Sequence, residues 1–229
     1  MDQANFGSVE HYYKEFYSRM VGIRSTGIMS VLWKYPHKLM EKPFMGQYFE
    51  TILEVGAGGG EHLNAVSLKC TRYYATDIDL NRLEAIQNNR EFEVIKNYQN
   101  ATDLSFEDEE ISRLIATCLL AHLENPEIAL NEWRRVVKRG GVLSIYLPCE
   151  PGLSLRLFRK FISNRKAKKL GYSGFSLYIA RDHINSAQNM MKLINHVFRE
   201  DEVRMMFRPF PIKSWYLNLF IIVHITKTY

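Results

Sequence analysis

The fold class is decided by one stretch, Thr51-Ile52-Leu53-Glu54-Val55-Gly56-Ala57-Gly58-Gly59-Gly60. Its first half is a short apolar run that ends directly in glycines, as a buried parallel strand does. The glycines let a ligand approach the backbone closely, and the N–H groups of a following helix would point at that ligand. A strand, a glycine-rich turn and a helix in this order predict a ligand-binding α/β domain.

The rest of the chain continues this alternation. The segments 72–76, 93–96, 111–117 and 142–147 are predicted to be four more strands, with helices at 61–69 and 81–90 between the first three. Asn125 is expected to cap a helix that Pro126 opens and that Gly140 with Gly141 closes. Final strands at 204–210 and 217–225, joined by a short connection, predict an antiparallel hairpin. The pattern indicates a parallel sheet with helices on both faces.

Ahead of this sheet, the apolar spacing predicts helices at 9–21 and 26–41, and Pro36 is expected to end or kink the second. The chain has 229 residues, 46% of them hydrophobic, which suits one domain with a large core. The first residues lack the basic and apolar blocks of a signal peptide, and the apolar run 217–225 is too short to span a bilayer. A cytoplasmic location is therefore expected.

Charge and cysteine content restrict the partners only loosely. The net charge of +5 permits anionic partners without establishing one. Cys70, Cys118 and Cys149 are widely spaced and form neither a CxxC pair nor a metal pattern with histidine, so reduced thiols in a cytoplasm are expected. No metal is expected, because the carboxylates near the predicted site have no matching ligand set.

The glycine turn favours a cationic ligand over a dinucleotide. The dinucleotide fingerprint would need glycine at position 61, where Glu61 would be a poor neighbour for a pyrophosphate. Asp77, at the end of the second strand, can accept hydrogen bonds from both hydroxyls of a ribose. The alternative is that Asp77 only caps the helix that follows it.

Two further stretches, 100–106 and 116–123, follow the third and fourth strands. Together with the glycine turn and Asp77, they resemble the class I S-adenosylmethionine (SAM) dependent methyltransferases of the type 11 group, in order and approximate spacing. The resemblance covers about 49–148. It implies SAM as the cofactor and a Rossmann-like, seven-stranded, mostly parallel sheet with an antiparallel last strand. It also implies an N-terminal helical cap at 1–48, a SAM-binding core at 49–148, a substrate-side insertion at 149–200 and a strand pair at 201–229, all in one domain.

The resemblance implies residue roles as well. Glu54 and the glycine turn would surround the methionine part of SAM, Asp77 would bind the ribose, and the Ala101 backbone would meet the adenine. Asn100 stands where the family often has Asp, and its amide oxygen can still accept from the adenine amino group. The candidate cofactor residues are Glu54, Gly56, Ala57, Gly58, Gly60, Asp77, Ile78, Asn100, Ala101 and Thr117.

Three functions follow as hypotheses. The leading one is methyl transfer to a hydroxyl of a small-molecule or glycan acceptor, with His122 as the general base. The others are N- or C-methylation of a lipid or quinone-like acceptor, and a non-catalytic module that binds SAM or a partner. The chain has Thr117-Cys118-Leu119-Leu120 where methyltransferases acting on base amines carry Asp/Asn-Pro-Pro-Tyr/Phe, so no double-stranded nucleic acid partner is expected. The competing reading of His122 is simple packing.

The acceptor should be bound outside the cofactor core, where Tyr13, Tyr17, Arg181 and His183 are the candidates. The competing readings are a packed helix face for the tyrosines and a solvated loop for 181–183. The tail from 147 to 220 loosely resembles bacterial methyltransferases of surface-polysaccharide synthesis, which implies a sugar or sugar-lipid acceptor. The basic, partly apolar stretch 153–169 suggests peripheral contact with an anionic membrane; its alternative is a packed helix with solvated lysines.

Overall fold

The computed structural model describes residues 27–87, 89–169 and 175–229, and at 27–32 and 175–178 it describes the backbone alone. The predicted helix at 9–21, with Tyr13 and Tyr17, lies outside the described residues. The helices are α1 Gly27–Glu41, α2 Glu61–Ala65, α3 Leu80–Glu84, α4 Pro126–Val136, α5 Leu153–Phe158, α6 Asn164–Lys169, α7 Phe175–Asp182 and α8 Ala187–Val197. Shorter turns are 3-10 helices at Lys42–Phe44 and Leu119–Ala121, and a π-helix at Arg159–Ser163 between α5 and α6.

The sheet confirms the predicted fold class. Its strands are β1 Phe49–Val55, β2 Cys70–Asp77, β3 Glu93–Tyr98, β4 Ile111–Thr117, β5 Val137–Pro148, β6 Glu202–Arg208 and β7 Phe220–Thr226. They form one seven-stranded sheet in the order β3-β2-β1-β4-β5-β7-β6, with β7 antiparallel to β5 and β6. The chain runs outward from β1 to β3 and returns to β4, so strand order reverses beside β1. Open α/β sheets bind their ligands at such a switch point, outside the carboxyl ends of the strands.

Two helices end earlier than the apolar pattern predicts. α2 stops at Ala65 instead of 69, because Val66 is extended, at φ −134° and ψ 163°, and its side chain is buried. α3 stops at Glu84 instead of 90. Beyond it, the Arg90 guanidinium donates to the Leu63 carbonyl of α2 at 2.6 Å. A side chain from the next connection thus satisfies a carbonyl near the end of α2, and local periodicity cannot foresee such a tertiary contact.

The glycine pair Gly140-Gly141 lies inside β5 and does not close α4. α4 ends at Val136, and the chain enters β5 at the next residue. Gly140, at φ +70°, donates from its N–H to the Lys227 carbonyl at 2.8 Å, and the Lys227 N–H donates to the Gly141 carbonyl at 3.0 Å. The glycines therefore bend the start of β5 against the chain's C-terminal segment.

One further prediction about a helix end was wrong, because the Asn125 side chain makes no capping hydrogen bond, although Pro126 does open α4. α1 continues through Pro36 to Glu41, so Pro36 does not end this helix, and the alternative of a kink stays a prediction.

The hairpin of β6 and β7 is antiparallel, as predicted, but its connection spans 209–219 and is longer than expected. Asn218 holds this connection together and is fully buried. Its side-chain amide donates to the Ile212 and Ser214 carbonyls at 2.9 Å each and accepts from the Phe210 N–H at 2.8 Å. A buried amide with these three bonds gives the connection a defined shape.

A buried ion pair ties α1 to the centre of the sheet. Arg113 of β4 is fully buried and donates to both carboxylate oxygens of Glu41, at 2.7 and 2.6 Å. Burial opposes ionisation of Glu41, but hydrogen bonds from His62 and Arg113 prevail and lower its pKa to about 2. Residues 27–87, 89–169 and 175–229 contain no helix with the length and apolar character needed to cross a bilayer.

Candidate active site

The glycine turn follows β1, and at three of its positions the backbone conformation strongly favours glycine. Gly56, Gly58 and Gly60 have φ of +68°, +56° and +79°, which L side chains rarely adopt. A Cβ on Gly58 would lie 2.0 Å from the Arg82 guanidinium, and one on Gly56 would lie 2.9 Å from Leu119. The turn is therefore tightly enclosed by α3 and by the segment after β4.

Asp77, at the end of β2, fixes this turn. Its Oδ2 accepts from the Gly58 N–H at 2.8 Å, and its Oδ1 accepts from the Asp79 N–H at 3.0 Å. The capping role belongs to Asp79, whose carboxylate accepts from the N–H groups of Asn81 and Arg82. The reading of Asp77 as a helix cap is therefore wrong. A carboxylate offers about four acceptor positions, so lone pairs remain for the two ribose hydroxyls.

Glu54, the penultimate residue of β1, is a buried acid with an unsatisfied oxygen. The Tyr73 hydroxyl donates to its Oε2, while Oε1 has no hydrogen-bond partner among the described residues. Burial raises the pKa of Glu54 to about 8, against the opposing effect of the Tyr73 hydrogen bond. A buried acceptor without a donor is costly, and a cationic group of a ligand would relieve that cost. The residue chemistry thus fits SAM, which carries an ammonium and a sulfonium.

The residues predicted for the adenine side have partners within the protein. The Asn100 side-chain oxygen accepts from the Thr102 N–H at 3.1 Å and from its hydroxyl at 3.0 Å. The Ala101 carbonyl accepts from the Trp133 indole at 2.9 Å. Adenine contact through the Asn100 oxygen would therefore have to displace Thr102.

The other two candidate cofactor residues lie at strand ends. Ile78, directly after Asp77, has an exposed side chain and offers a flat apolar surface at the end of β2. Thr117 closes β4, where it is paired with Tyr146 of β5. Both therefore lie at the carboxyl edge of the sheet.

A second group of polar side chains forms around His122. The Nδ1 atom of His122 lies 3.0 Å from the Asp182 carbonyl oxygen and 3.2 Å from its Oδ2. His183 Nε2 lies 4.0 Å from the same Oδ2, and the two histidine rings meet edge to face at 4.6 Å between centroids. Asp182 is the last residue of α7 and is half-buried, so 181–183 is not the solvated loop of the alternative reading.

Glu150 belongs to this group and was missed by the sequence analysis. It is buried just beyond β5, where one oxygen bonds the His183 ring and the other pairs with Arg159. The signal was its place after the carboxyl end of a parallel strand, where acidic side chains of α/β enzymes face ligands.

Asn185 holds the segment that carries His122. Its side-chain amide donates to the carbonyls of Leu120 and Leu123 at 2.9 and 2.6 Å, and its N–H donates to the Ala121 carbonyl at 3.1 Å. The insertion thus clamps the turn after β4, and with it the backbone position of His122.

A cavity of about 680 Å³ lies beside this group. His183 reaches it, whereas Arg181 is exposed and is not among the described residues that line it. The lining residues belong to the insertion and are Glu150, Pro151, Leu153, Arg156, Leu157, Arg159, Lys160, Asn164, Ile179, Ala180, His183, Ile184, Asn185 and Ser186.

The group also has the spacing of a metal site. One ligand-type atom from each of His122, Asp182 and His183 lies within 4.8 Å of the others. The sequence analysis expected no metal site, and the arrangement arises because the fold brings His122 to Asp182 and His183 across about 60 positions. The same three side chains can therefore act as a hydrogen-bonded acid–base group or as ligands.

Comparison with known proteins agrees with this geometry. Residues 53–145 match the family described as "Methyltransferase domain". A SAM-dependent methyltransferase from Thermotoga maritima superposes with a TM-score of 0.60 at 17% identity, over 95% of this chain and 99% of that one. A Methanococcus maripaludis protein described as SAM-dependent gives 0.63 at 16%, over 93% and 92%. The [4+2]-cyclase SpnF gives 0.60 at 13%, over 85% and 80%. No curated protein matches the sequence significantly.

The fold and the glycine turn define a class I methyltransferase fold, which on its own supports more than one chemistry, as the cyclase illustrates. The sequence match to the methyltransferase domain adds what the fold lacks. Residues 53–145 are thus a methyltransferase domain, and S-adenosyl-L-methionine is the cofactor that this domain implies.

Proposed function

We propose that the protein transfers the methyl group of SAM to a hydroxyl of a small-molecule or glycan acceptor, beside His122. The observation that carries this proposal is the contact between His122 and Asp182 at the carboxyl end of β4. His122 closes the turn that begins with Leu119, whose side chain packs against Gly56 of the glycine turn. The proposed base and a residue that contacts the glycine turn therefore lie on one short segment.

The ring of His122 is oriented for proton transfer. With Nδ1 directed at Asp182, its proton is held there, and Nε2 keeps the lone pair that a base needs. Asp182 would stabilise the charge that the ring gains on accepting the acceptor's proton. When bound, SAM supplies an activated methyl group and a good leaving group, so the protein contributes mainly alignment and this proton transfer.

On the cofactor side, the proposed contacts are those implied by the sequence. Glu54 Oε1 would accept from the ammonium, the turn at 56–60 would enclose the methionine part, and Asp77 would bind the ribose. Support comes from the unsatisfied Glu54 oxygen and from the spare lone pairs of Asp77. Ile78, Asn100, Ala101 and Thr117 remain proposed neighbours of the adenosine. A sugar or sugar-lipid acceptor rests on the resemblance of the tail alone.

An assay for S-adenosylhomocysteine across a panel of hydroxyl, amine and carbon acceptors tests the proposal. With a hydroxyl acceptor, His122→Ala should lower turnover about 10²–10⁴-fold and leave SAM affinity in calorimetry nearly unchanged. The loss should shrink at high pH, where the acceptor ionises without a base. His196→Ala, at an exposed histidine of α8, is the matched control. A folded His122→Ala enzyme with normal turnover would overturn the base assignment, and activity confined to amines or carbons would favour the N- or C-methylation alternative.

A second candidate, supported by the spacing of His122, Asp182 and His183, is metal-assisted transfer to an oxygen acceptor. The bond from His183 to Glu150 is the kind of carboxylate contact that orients a histidine ligand. Dialysis against a chelator, then addition of Mg²⁺, Mn²⁺ or Zn²⁺, separates the two candidates. Full activity after removal of the metal supports the base, and activity restored by one cation supports the metal.

A further inference from the structure

One face of the insertion combines exposed apolar side chains with dense positive charge. In α5 and the following π-helix, Leu153, Leu157, Phe161 and Ile162 are between 37% and 50% exposed. Between Pro151 and Arg181 the sequence contains eight Lys and Arg and no Asp or Glu, which leaves 22 Lys and Arg against 25 Asp and Glu elsewhere. The positive net charge of the protein thus resides in this one segment.

The connection 209–219 extends the same face. The Ser154 hydroxyl of α5 donates to the Leu217 carbonyl at 2.8 Å, and the Ser154 N–H reaches the Tyr216 carbonyl at 3.4 Å. Phe210, Ile212, Tyr216 and Leu217 are between 39% and 52% exposed. The connection contains one lysine and no acid. We call the combined surface of 153–169 and 209–219 the basic-apolar face.

The exposure of these side chains is built into the fold. Asn218 uses its three hydrogen bonds to hold the connection closed from inside, so the apolar side chains point outward from an ordered loop. Eight of the 17 exposed large apolar side chains among the described residues lie on the basic-apolar face. A contiguous apolar patch of this kind marks an interaction surface on a soluble protein.

The composition of the face identifies its partner. Lys160 and Arg165 lie over the Phe161 ring, at 5.8 and 5.6 Å from its centroid, so cations surround an exposed aromatic group. Tyr216, which is 44% exposed, adds an aromatic residue of the kind that prefers the interface between water and lipid. Apolar and aromatic groups that insert, ringed by lysine and arginine, match the chemistry of an anionic phospholipid surface.

We propose that the basic-apolar face docks the enzyme on an anionic membrane. Leu153, Leu157 and Lys160 of this face also line the cavity that His183 and Glu150 reach. Docking would therefore turn the mouth of the cavity toward the bilayer. On the proposed function, the acceptor is then a hydroxyl of a membrane-anchored amphiphile, such as a sugar-lipid. The docking itself does not depend on that function.

Vesicle flotation of the full-length protein tests the docking, without acceptor or turnover. The protein should float with vesicles that contain phosphatidylglycerol at low salt, be released at high salt, and ignore pure phosphatidylcholine. Reversal of Lys166, Lys168 and Lys169 to Glu should weaken binding at least about a hundredfold, since each basic residue contributes about 1 kcal/mol. Replacement of Phe161 and Ile212 by Ser should weaken it about tenfold or more without changing the charge.

The matched control reverses Lys34, Lys38 and Lys42, which are exposed and lie on α1 and the turn after it. This variant has the same net charge as the first and should keep most of the binding. Equal loss in both triple variants would overturn the proposal, because net charge alone would then explain binding. No flotation at low salt would also overturn it. So would a dimer of the wild type that F161S/I212S converts to a monomer, because the face would then bind a second copy.

Discussion

The two halves of the active site are built in different ways. The proposed cofactor half consists of Glu54, the turn at 56–60 and Asp77, all close in sequence and joined largely through backbone N–H groups. The proposed acceptor half joins His122 to Asp182 across 60 positions, and Glu150 to His183 across 33, through side-chain contacts. One half thus presents a fixed backbone surface, whereas the other depends on how the insertion folds over the sheet. Variants can separate the two halves.

The largest expected effect is a loss of folding stability, which would impair both halves of the site together. Arg113→Met leaves the buried Glu41 with His62 but without the guanidinium that bonds both of its oxygens, which should cost about 3–5 kcal/mol in the free energy of unfolding. Chemical denaturation would measure it, and SAM affinity and turnover should fall in parallel as folded protein is lost. The double variant Arg113→Met/Glu41→Leu should recover much of the stability. A fully stable single variant would show that the pair does not hold α1 to β4.

Asp77→Ala should affect only the cofactor half. It removes an acceptor of two backbone N–H groups and the proposed ribose acceptor, and loss of a charged hydrogen-bond partner costs about 1.5–3 kcal/mol. Calorimetry should show SAM binding weakened about ten- to a hundredfold. Asp79→Ala is the matched control, since it removes the helix cap and should lower stability by about 1 kcal/mol with little effect on SAM. Unchanged SAM affinity in folded Asp77→Ala would remove the ribose assignment.

Asn185→Ala should affect only the acceptor half. The variant loses both side-chain bonds that fix the carbonyls on either side of His122, at about 0.5–1.5 kcal/mol each. Turnover should fall about tenfold, with SAM affinity preserved. The comparison is with Asn189→Ala, an exposed position on α8. Equal losses of SAM affinity and turnover in Asn185→Ala would show that the two halves are coupled.

The smallest expected effect is a pH dependence confined to Glu54. Its pKa of about 8 means that the free enzyme holds a proton there at neutral pH, whereas an ammonium at Oε1 favours the carboxylate. SAM binding should therefore release a proton, and affinity should rise about tenfold from about pH 6 to about pH 7, below the range in which the α-amino group of SAM loses its own proton. Calorimetry in buffers of different ionisation enthalpy measures the release. Glu54→Gln should abolish the dependence, and its persistence there would assign it to another group.

The cofactor half was easier to predict from the sequence than the acceptor half. Residues 111–117 match β4 at both ends, where strand-forming residues such as Ile111, Leu114 and Ile115 directly follow the acidic stretch 107–110. The turn at Gly56, Gly58 and Gly60 was predictable because alternate glycines directly after a strand indicate a backbone with positive φ, and all three residues have it. For this half, local chemistry is nearly sufficient.

Glu150 and Asp182 were not predictable in the same way. Their roles arise from contacts with His183 and His122 that exist only once the insertion has folded. The end of α2 was predicted too late for a related reason, because the burial of Val66 and the contact of Arg90 with the Leu63 carbonyl are tertiary. The prediction that Gly140 closes α4 was wrong because the sequence does not distinguish a glycine that ends a helix from one inside a strand, and Gly140 lies in β5.

The uneven charge of the chain has a kinetic consequence. With eight cations and no acid between Pro151 and Arg181, and an acidic excess elsewhere, the molecule carries a permanent electric dipole. Near a negatively charged surface this dipole experiences a torque within about a Debye length, roughly 10 Å at 0.1 M salt. Diffusive encounters would then occur with the molecule already oriented. Added salt should accordingly slow the association rate more than it speeds dissociation.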